Sequence, residues 1–294
     1  MLPAGWRRRY RGLLEREAPL APRTTWRIGG PADLYLEPAS VDELAATLGA
    51  LRAVGMPYRL LGGGSNLLVA DSGVRGAVVS LERLASLHRM GDAIVAEAGA
   101  RLASVVRFAV EGGLAGAEKL AGIPGRVGGA VFGNAGGRHG DIGSLVARLT
   151  LLAPDGRLER FAPPKGFFAY RQSQVGDRVV VDASLRLAPD GAAAVRERTR
   201  RIVEERRRTQ PGWVGNAGCV FKNPPGDSAG RLIDAAGCKG MGVGRVHVST
   251  LHANFFENGG GGSCDDVLRL IERVQGRVRA VHAVDLEVEV RQWL

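Results

Sequence analysis

The stretch GNAGCVFKNPPGDSAG, residues 215–230, carries a thiol, Cys219, shortly before Lys222 and Asn223. The segment is too rich in Gly and Pro to be a helix interior or a central strand. Free cysteine is usually buried packing, and a thiol on a glycine-rich loop leaves chemistry as the alternative. Two glycine clusters lie upstream. LGGGSNLLV at 61–69 sets Gly62, Gly63, Gly64, Ser65 and Asn66 directly after an expected strand. Backbone N–H groups unshielded by a Cβ can converge there on phosphate oxygens, with Ser and Asn adding donors; a tight strand-to-strand turn would use the same residues. The cluster has neither the Gly-Lys-Ser/Thr of a P-loop nor the spacing of a dinucleotide fingerprint. AGIPGRVGGAVFGNAG at 121–136 is broken by Ile123-Pro124 and Val131-Phe132. That makes an apolar, permissive surface for a flat ring or a pyrophosphate. Two such clusters sixty residues apart point to a phosphate-bearing, largely buried cofactor.

The remaining reactive residue types suggest less. Cys219, Cys238 and Cys264 lie far apart with no C-x-x-C pair, which argues for a reducing, cytoplasmic setting, with Cys238 and Cys264 as packing residues. His252 has no metal-ligand partner at i+4, so no metal is expected. Net charge is +10, and of the 40 cationic residues only Lys119, Lys165, Lys222 and Lys239 are lysines. Such a balance suits nucleic acid or small polyanions such as nucleotides. Aromatic residues make up only 5% of the chain, which disfavours base-stacking platforms. The densest charge run, RERTRRIVEERRR at 196–208, interleaves Glu and Arg at helical spacing and is expected to be a solvated helix face. The N-terminal MLPAGWRRRYRGLL is basic but has no apolar h-region, and no apolar run of about 18 residues occurs, so neither a signal peptide nor a membrane span is expected.

The elements that must carry these residues follow from periodicity. RIGGPADLYLEP reads as a strand. The following helix starts at Ser40, with Glu43 completing a capping box, and stops at Gly55. PYRLL, the glycine loop and GAVVSL complete a β-α-β pattern. AIVAEAGA, RLTLLAP and RVVVDASLRLAP read as further strands around the helix RLASVVRFAVEGGL, which ends in paired glycines. After residue 188 come the arginine-rich helix, the cysteine loop, SAGRLIDAAG as helix, VHVSTLHANFFEN as a strand region, CDDVLRLIERVQGRVRAV as helix and VDLEVEVRQWL as strand. This is an α+β composition, expected to divide at 1–75, 76–187 and 188–294.

LGGGSNLLV, AGIPGRVGGAVFGNAG, AYRQS at 169–173, GCVFKNP at 218–224, SAGRLIDAAG at 228–237, VSTLHANFFEN at 248–258 and LEVEV at 286–290 resemble, in that order, the UDP-N-acetylenolpyruvoylglucosamine reductases, in their compact second type. The resemblance runs from about residue 23 to the C-terminus. It implies an FAD-binding fold of the vanillyl-alcohol-oxidase type, in two α+β subdomains (1–75 and 76–187), with a C-terminal α+β substrate-binding domain. It implies bound FAD, NADPH as co-substrate, a UDP-sugar substrate and a monomer, with no nucleic-acid or membrane partner. The reaction would be reduction of an enolpyruvyl ether to a lactyl ether in peptidoglycan precursor synthesis. The family's catalytic set falls on Arg171, Cys219 and Glu289, with the cysteine in the seat of a proton donor that is most often serine. Flavin contacts fall on Gly62, Gly63, Gly64, Ser65, Asn66, Leu67, Ala98, Gly99, Gly122, Ile123, Pro124, Gly125, Gly128, Gly129 and Asn134. Lys222 and Asn223, following the thiol on the same loop, suit the substrate's diphosphate or sugar by their own chemistry, as point charge and two-way hydrogen-bonder, with Lys239 and Asn254 as weaker candidates. Two departures stand out: Arg126 stands where a small hydroxyl residue is usual, and GGRHGD at 136–141 lacks the aromatic residue usual after Asn-Ala-Gly.

Overall fold

The computed structural model describes residues 4–212 and 215–294; residues 1–3 of the basic leader lie outside this range. The chain forms two units. The first comprises Met1–Arg16, Leu34–Gly63 and Gly76–Glu205, and the second Glu17–Asp33, Gly64–Arg75 and Arg206–Leu294.

The first unit begins with α1 (Ala4–Arg9) and continues to α2 (Val41–Ala53). Ser40 caps α2 by accepting a hydrogen bond from the Glu43 N–H at 3.1 Å. The Glu43 carboxylate does not complete the expected box. It accepts from the N–H groups of Ala39 (2.7 Å) and Arg11 and so ties the entering chain to the helix. Leu44, Thr47, Leu48 and Leu51 form the buried stripe of α2. Tyr58–Leu61 after it pairs in parallel with Ala77–Ser80, as a β-α-β unit requires.

A five-stranded antiparallel sheet follows, in the order Leu158–Phe161, Val146–Leu152, Val179–Arg186, Ala93–Glu97, Leu87–Met90. Helix α3 (Leu102–Glu111) buries Leu102, Val105, Val106 and Ala109 and ends at Gly112 and at Gly113, whose φ is +62°. Helix α4 (Val127–Phe132) is a short turn inside the second glycine cluster. In α5 (Ala192–Thr209) Glu197 pairs with Arg200 and Arg201, and Arg200 also pairs with Glu204. The two guanidiniums beside Glu197 hold its carboxyl down at about 2. Val195 is buried and Ile202 and Val203 pack against the core, so the charged run is the solvated helix face its spacing predicts.

The second unit has its own core around Trp26, whose indole N–H donates to the Phe256 carbonyl at 3.0 Å. Helices α6 (Ala229–Ala235) and α7 (Cys264–His282) pack on it. Ser263 and Asp266 form a full capping box at the start of α7, and Cys264, Val267, Leu270, Ile271, Val274 and Val278 form its buried face. Gly242–Val243, Val246–Val248 and Phe256–Asn258 make an antiparallel sheet, and Arg291–Trp293 pairs in parallel with Leu67–Val69. The expected strand region at 246–258 is therefore two strands. Between them Ser249 Oγ accepts from the N–H groups of Leu251 and His252, and His252 Nδ1 accepts from Asn254 N–H. These local side-chain partners replace the ladder. Among the described residues no helix is long and apolar enough to cross a membrane.

Candidate active site

In the first unit the two glycine clusters meet. A Cβ on Gly63 would lie 2.9 Å from Gly125 Cα, and one on Gly62 would lie 3.8 Å from Gly129. The stretch 98–102 lines up with 125–128 through Gly128 N–H to Ala98 O (2.8 Å), Val127 N–H to Ala100 O (2.9 Å) and Leu102 N–H to Gly125 O (3.1 Å). A Cβ on Gly128 would meet the Ala98 side chain at 2.9 Å. Gly62, Gly63, Ala98, Gly99, Gly125, Gly128 and Gly129 thus gather from three distant segments. Gly122 (φ +73°) and Gly125 (φ +113°) need backbone conformations that side chains disfavour and bracket Ile123 and Pro124. Gly129 is exposed, and a Cβ there would meet nothing within 4 Å.

Arg126 is buried behind this surface. Its guanidinium donates to Gly99 O at 2.6 Å and pairs with Glu82, holding together the backbones on which Gly99 and Gly125 sit. The result is a cradle of bare backbone that a single Cβ would obstruct, and it fits the flat, phosphate-bearing cofactor expected from the sequence. Alanine at Gly63 must push against Gly125 backbone, which cannot swing aside. Overpacking of this kind costs about 1–3 kcal/mol, or about tenfold in binding. The Kd for FAD of Gly63→Ala is therefore expected to rise about tenfold or more, measured by flavin titration of the apoprotein.

The first cluster continues into the second unit, where Gly64 has φ +60° and its carbonyl accepts from Thr25 N–H at 3.1 Å. Ser65 follows it, and Leu67 is buried at the start of a strand. Asn66 joins this loop to the C-terminal segment: its side-chain amide donates to Glu289 O at 3.4 Å, and its carbonyl accepts from Arg291 N–H at 3.2 Å. The cysteine loop lies against the same segment. Glu289 N–H donates to Val220 O (2.7 Å), Lys222 N–H donates to Glu287 O (2.8 Å), and Cys219 and Phe221 form single antiparallel bridges with Phe255 and Val288. Residues of the first glycine cluster, the cysteine loop and the C-terminal segment, far apart in sequence, are thus hydrogen-bonded neighbours within one unit.

Cys219 is half-buried, whereas Cys238 and Cys264 are buried, as expected of packing residues. Burial pushes the thiols of Cys238 and Cys264 up, the latter to about 11. Lys222 pairs with Glu287, and Asn223 Oδ1 accepts from Ala229 N–H at 3.0 Å, capping α6. Lys239 pairs with Asp234 at 2.7 Å. His252 and Phe255 meet edge to face, their ring centres 4.8 Å apart, and burial lowers the His252 pKa.

Asn254, a weaker substrate candidate in the sequence, has a different task. Its buried amide accepts from Phe221 N–H (2.9 Å) and donates to Phe221 O (2.8 Å), clamping the loop that carries Cys219. Asn254→Ala leaves both backbone groups buried and unpaired, each costing about 1–3 kcal/mol. A fall of about 2–6 kcal/mol in unfolding free energy is expected, read from the urea midpoint at unchanged m-value.

Arg171 belongs to the first unit, at the second corner of a two-residue turn between Phe168–Ala169 and Gln172–Ser173. Its φ is +57°, a left-handed conformation that normally selects glycine. Its Nη1 donates to Gly136 O at 2.8 Å, and its guanidinium lies 5.3 Å from the Tyr170 ring centre. Asn134, expected to contact the flavin, has its side-chain amide engaged on both sides by the chain itself: Nδ2 donates to Ala169 O (2.9 Å), and Oδ1 accepts from Gly143 N–H (3.0 Å). Ser173, which sequence reasoning did not single out beyond its place in AYRQS, donates to Phe132 O at 2.7 Å. Among the described residues no group of three metal-ligating side chains occurs.

Comparison with known proteins agrees with this geometry. Residues 32–162 match the model of an FAD binding domain, and residues 210–293 match the model of the UDP-N-acetylenolpyruvoylglucosamine reductase C-terminal domain. The chain is 45% identical to a UDP-N-acetylenolpyruvoylglucosamine reductase from Moorella thermoacetica, over 94% of this chain and 91% of the relative. The crystal structure of a UDP-N-acetylenolpyruvylglucosamine reductase from Thermus caldophilus superposes with a TM-score of 0.84 at 36% identity, over 97% of this chain and all of that one. The BBE-like 1 protein of Physcomitrella patens shares only the fold, with a TM-score of 0.50 at 17% identity over 63% of this chain.

Proposed function

The chain belongs to the UDP-N-acetylenolpyruvoylglucosamine reductase family, and from that premise we propose that it reduces UDP-N-acetylglucosamine enolpyruvate to UDP-N-acetylmuramate with NADPH, in peptidoglycan precursor synthesis. Bound FAD supplies the relay of hydride from NADPH to the methylene carbon of the enolpyruvyl group. The electron pair displaced by that hydride moves onto the neighbouring carbon and its carboxylate, so the protein must stabilise negative charge there and deliver one proton.

The Arg171 guanidinium suits the first task, because its planar fork holds a carboxylate through two parallel hydrogen bonds that strengthen as charge builds. Cys219 supplies the proton to the carbon bearing the carboxylate. A thiol with an ordinary pKa of about 8.5 is mostly protonated at neutral pH and far more acidic than an alcohol. Glu289 shares the charge-stabilising and proton-handling work, and Lys222 and Asn223 hold the diphosphate or sugar, as point charge and two-way hydrogen-bonder. The excess of positive charge favours encounter with an anionic nucleotide sugar. We take the enzyme to act as a cytoplasmic monomer without nucleic-acid or membrane partners, with FAD held by the expected subdomains 1–75 and 76–187 and substrate recognised by 188–294.

The observation that best supports this reading is the hydrogen bonding of Asn66, in the cofactor loop, to the Glu289 segment, which in turn bonds the backbone beside Cys219. The test is spectroscopic. The purified protein should be yellow, bleach with NADPH, and recolour without oxygen when UDP-N-acetylglucosamine enolpyruvate is added. Recolouring by air alone would favour an oxidase on the same scaffold, and a colourless protein that FAD cannot reconstitute would sink both.

A further inference from the structure

The turn that carries Arg171 is laced to the end of the second glycine cluster by three hydrogen bonds from alternate residues. Phe132 O accepts from Ser173 Oγ at 2.7 Å, Asn134 Nδ2 donates to Ala169 O at 2.9 Å, and Gly136 O accepts from Arg171 Nη1 at 2.8 Å. Asn134 is the centre of this lacing. It is 4% exposed and has φ +44°, and its amide is oriented by Gly143 N–H on the other side. A Cβ on Gly143 would lie 2.7 Å from Asn134 Oδ1 and 2.6 Å from the Phe168 ring, so the amide sits against the first strand of the turn. A buried side chain with both ends satisfied has one orientation, and it fixes the carbonyl two residues before Arg171. The turn needs this support because a left-handed arginine costs about 1–2 kcal/mol and would otherwise relax.

We propose that Asn134 is a positioning residue for the reduction step: it locks the Arg171 turn to the backbone that also forms the cofactor cradle, so that the guanidinium holds the substrate carboxylate in fixed register with the flavin. The assignment rests on the role of Arg171 under the proposed function. It also accounts for an asparagine in the glycine cluster whose amide faces the protein rather than a ligand. Only a residue tolerant of positive φ, with a donor and an acceptor on a short stem, can meet all these demands, and asparagine is the ordinary one.

The test uses Asn134→Gly, which keeps the backbone conformation accessible and removes the amide, and Ser173→Ala, which loosens the same turn from its other end. Stopped-flow absorbance separates flavin bleaching by NADPH from anaerobic recolouring by the enolpyruvyl substrate. In Asn134→Gly, FAD affinity and bleaching should stay within about threefold of wild type, while recolouring slows by about 10–100-fold, the scale of a misplacement near 1 Å. Ser173→Ala should slow recolouring by a smaller factor in the same direction. In an Arg171→Lys background, Asn134→Gly should have little further effect, because both changes act through one group. Loss of FAD, equal slowing of both phases, or an undiminished effect in the Arg171→Lys background would overturn the proposal and leave Asn134 as scaffolding. If the wild-type flavin itself does not recolour with substrate, the proposed function falls first, and this inference with it.

Discussion

Cys219→Ala is expected to bleach with NADPH at close to the wild-type rate and then to stall, with recolouring by substrate slowed by about 10²–10⁴-fold, the usual contribution of a general acid. The side chain is half-buried, so its removal opens no large core cavity, and stability should change by less than about 1 kcal/mol. Its backbone neighbours, Phe255 across one bridge and the Val220–Glu289 hydrogen bond beside it, hold the loop whatever residue stands there. Cys219→Ser keeps a proton on a group of similar size and is expected to retain turnover within about tenfold. Equal slowing of bleaching and recolouring in Cys219→Ala would return the residue to a structural role.

Substitution of Arg171 should separate stability from activity. Arg171→Gly and Arg171→Ala both remove the guanidinium, and each is expected to lose about 10²–10³-fold in the substrate half-reaction, the scale of deleting a preorganised charge-stabilising donor. In stability the two should differ. At φ +57° the Ala variant keeps the left-handed penalty of about 1–2 kcal/mol that glycine escapes, so Arg171→Gly should unfold at higher urea than Arg171→Ala. Arg171→Lys restores the charge but not the fork that can serve Gly136 O and a carboxylate together, and should recover only part of the rate. Near-wild-type recolouring in Arg171→Gly would end the assignment.

Much of the local structure was legible in the residue order because its causes are local. Ser40, the paired glycines at 112–113 and the Glu-Arg spacing of α5 each mark their elements. Errors arose where a side chain had two partners to choose from. Glu43 looked like the second half of a capping box, but tertiary contact turned it toward Arg11 and Ala39. The amide of Asn254, a weaker substrate candidate in the sequence, pairs with the backbone of Phe221, thirty-three residues away. The strand expected over 246–258 was interrupted because Ser249 and His252 supply the backbone with partners of their own.

The residues themselves determined the inventory: two glycine clusters able to present bare backbone, one thiol on a glycine loop, an arginine in AYRQS, a glutamate in LEVEV, and an ordered series of motifs that assigns the chain to its family. Hydrophobic periodicity and turn chemistry act over a few residues, so they place such groups on loops and strand ends without saying which meet. Only the tertiary structure decided that Gly63 touches Gly125, that Asn66 reaches Glu289 across 223 positions, and that Asn134 and Arg126 serve the protein's own backbone. Those pairings are set by which buried polar groups must find partners once two separate cores have formed, a condition on the whole chain that no short window of sequence contains.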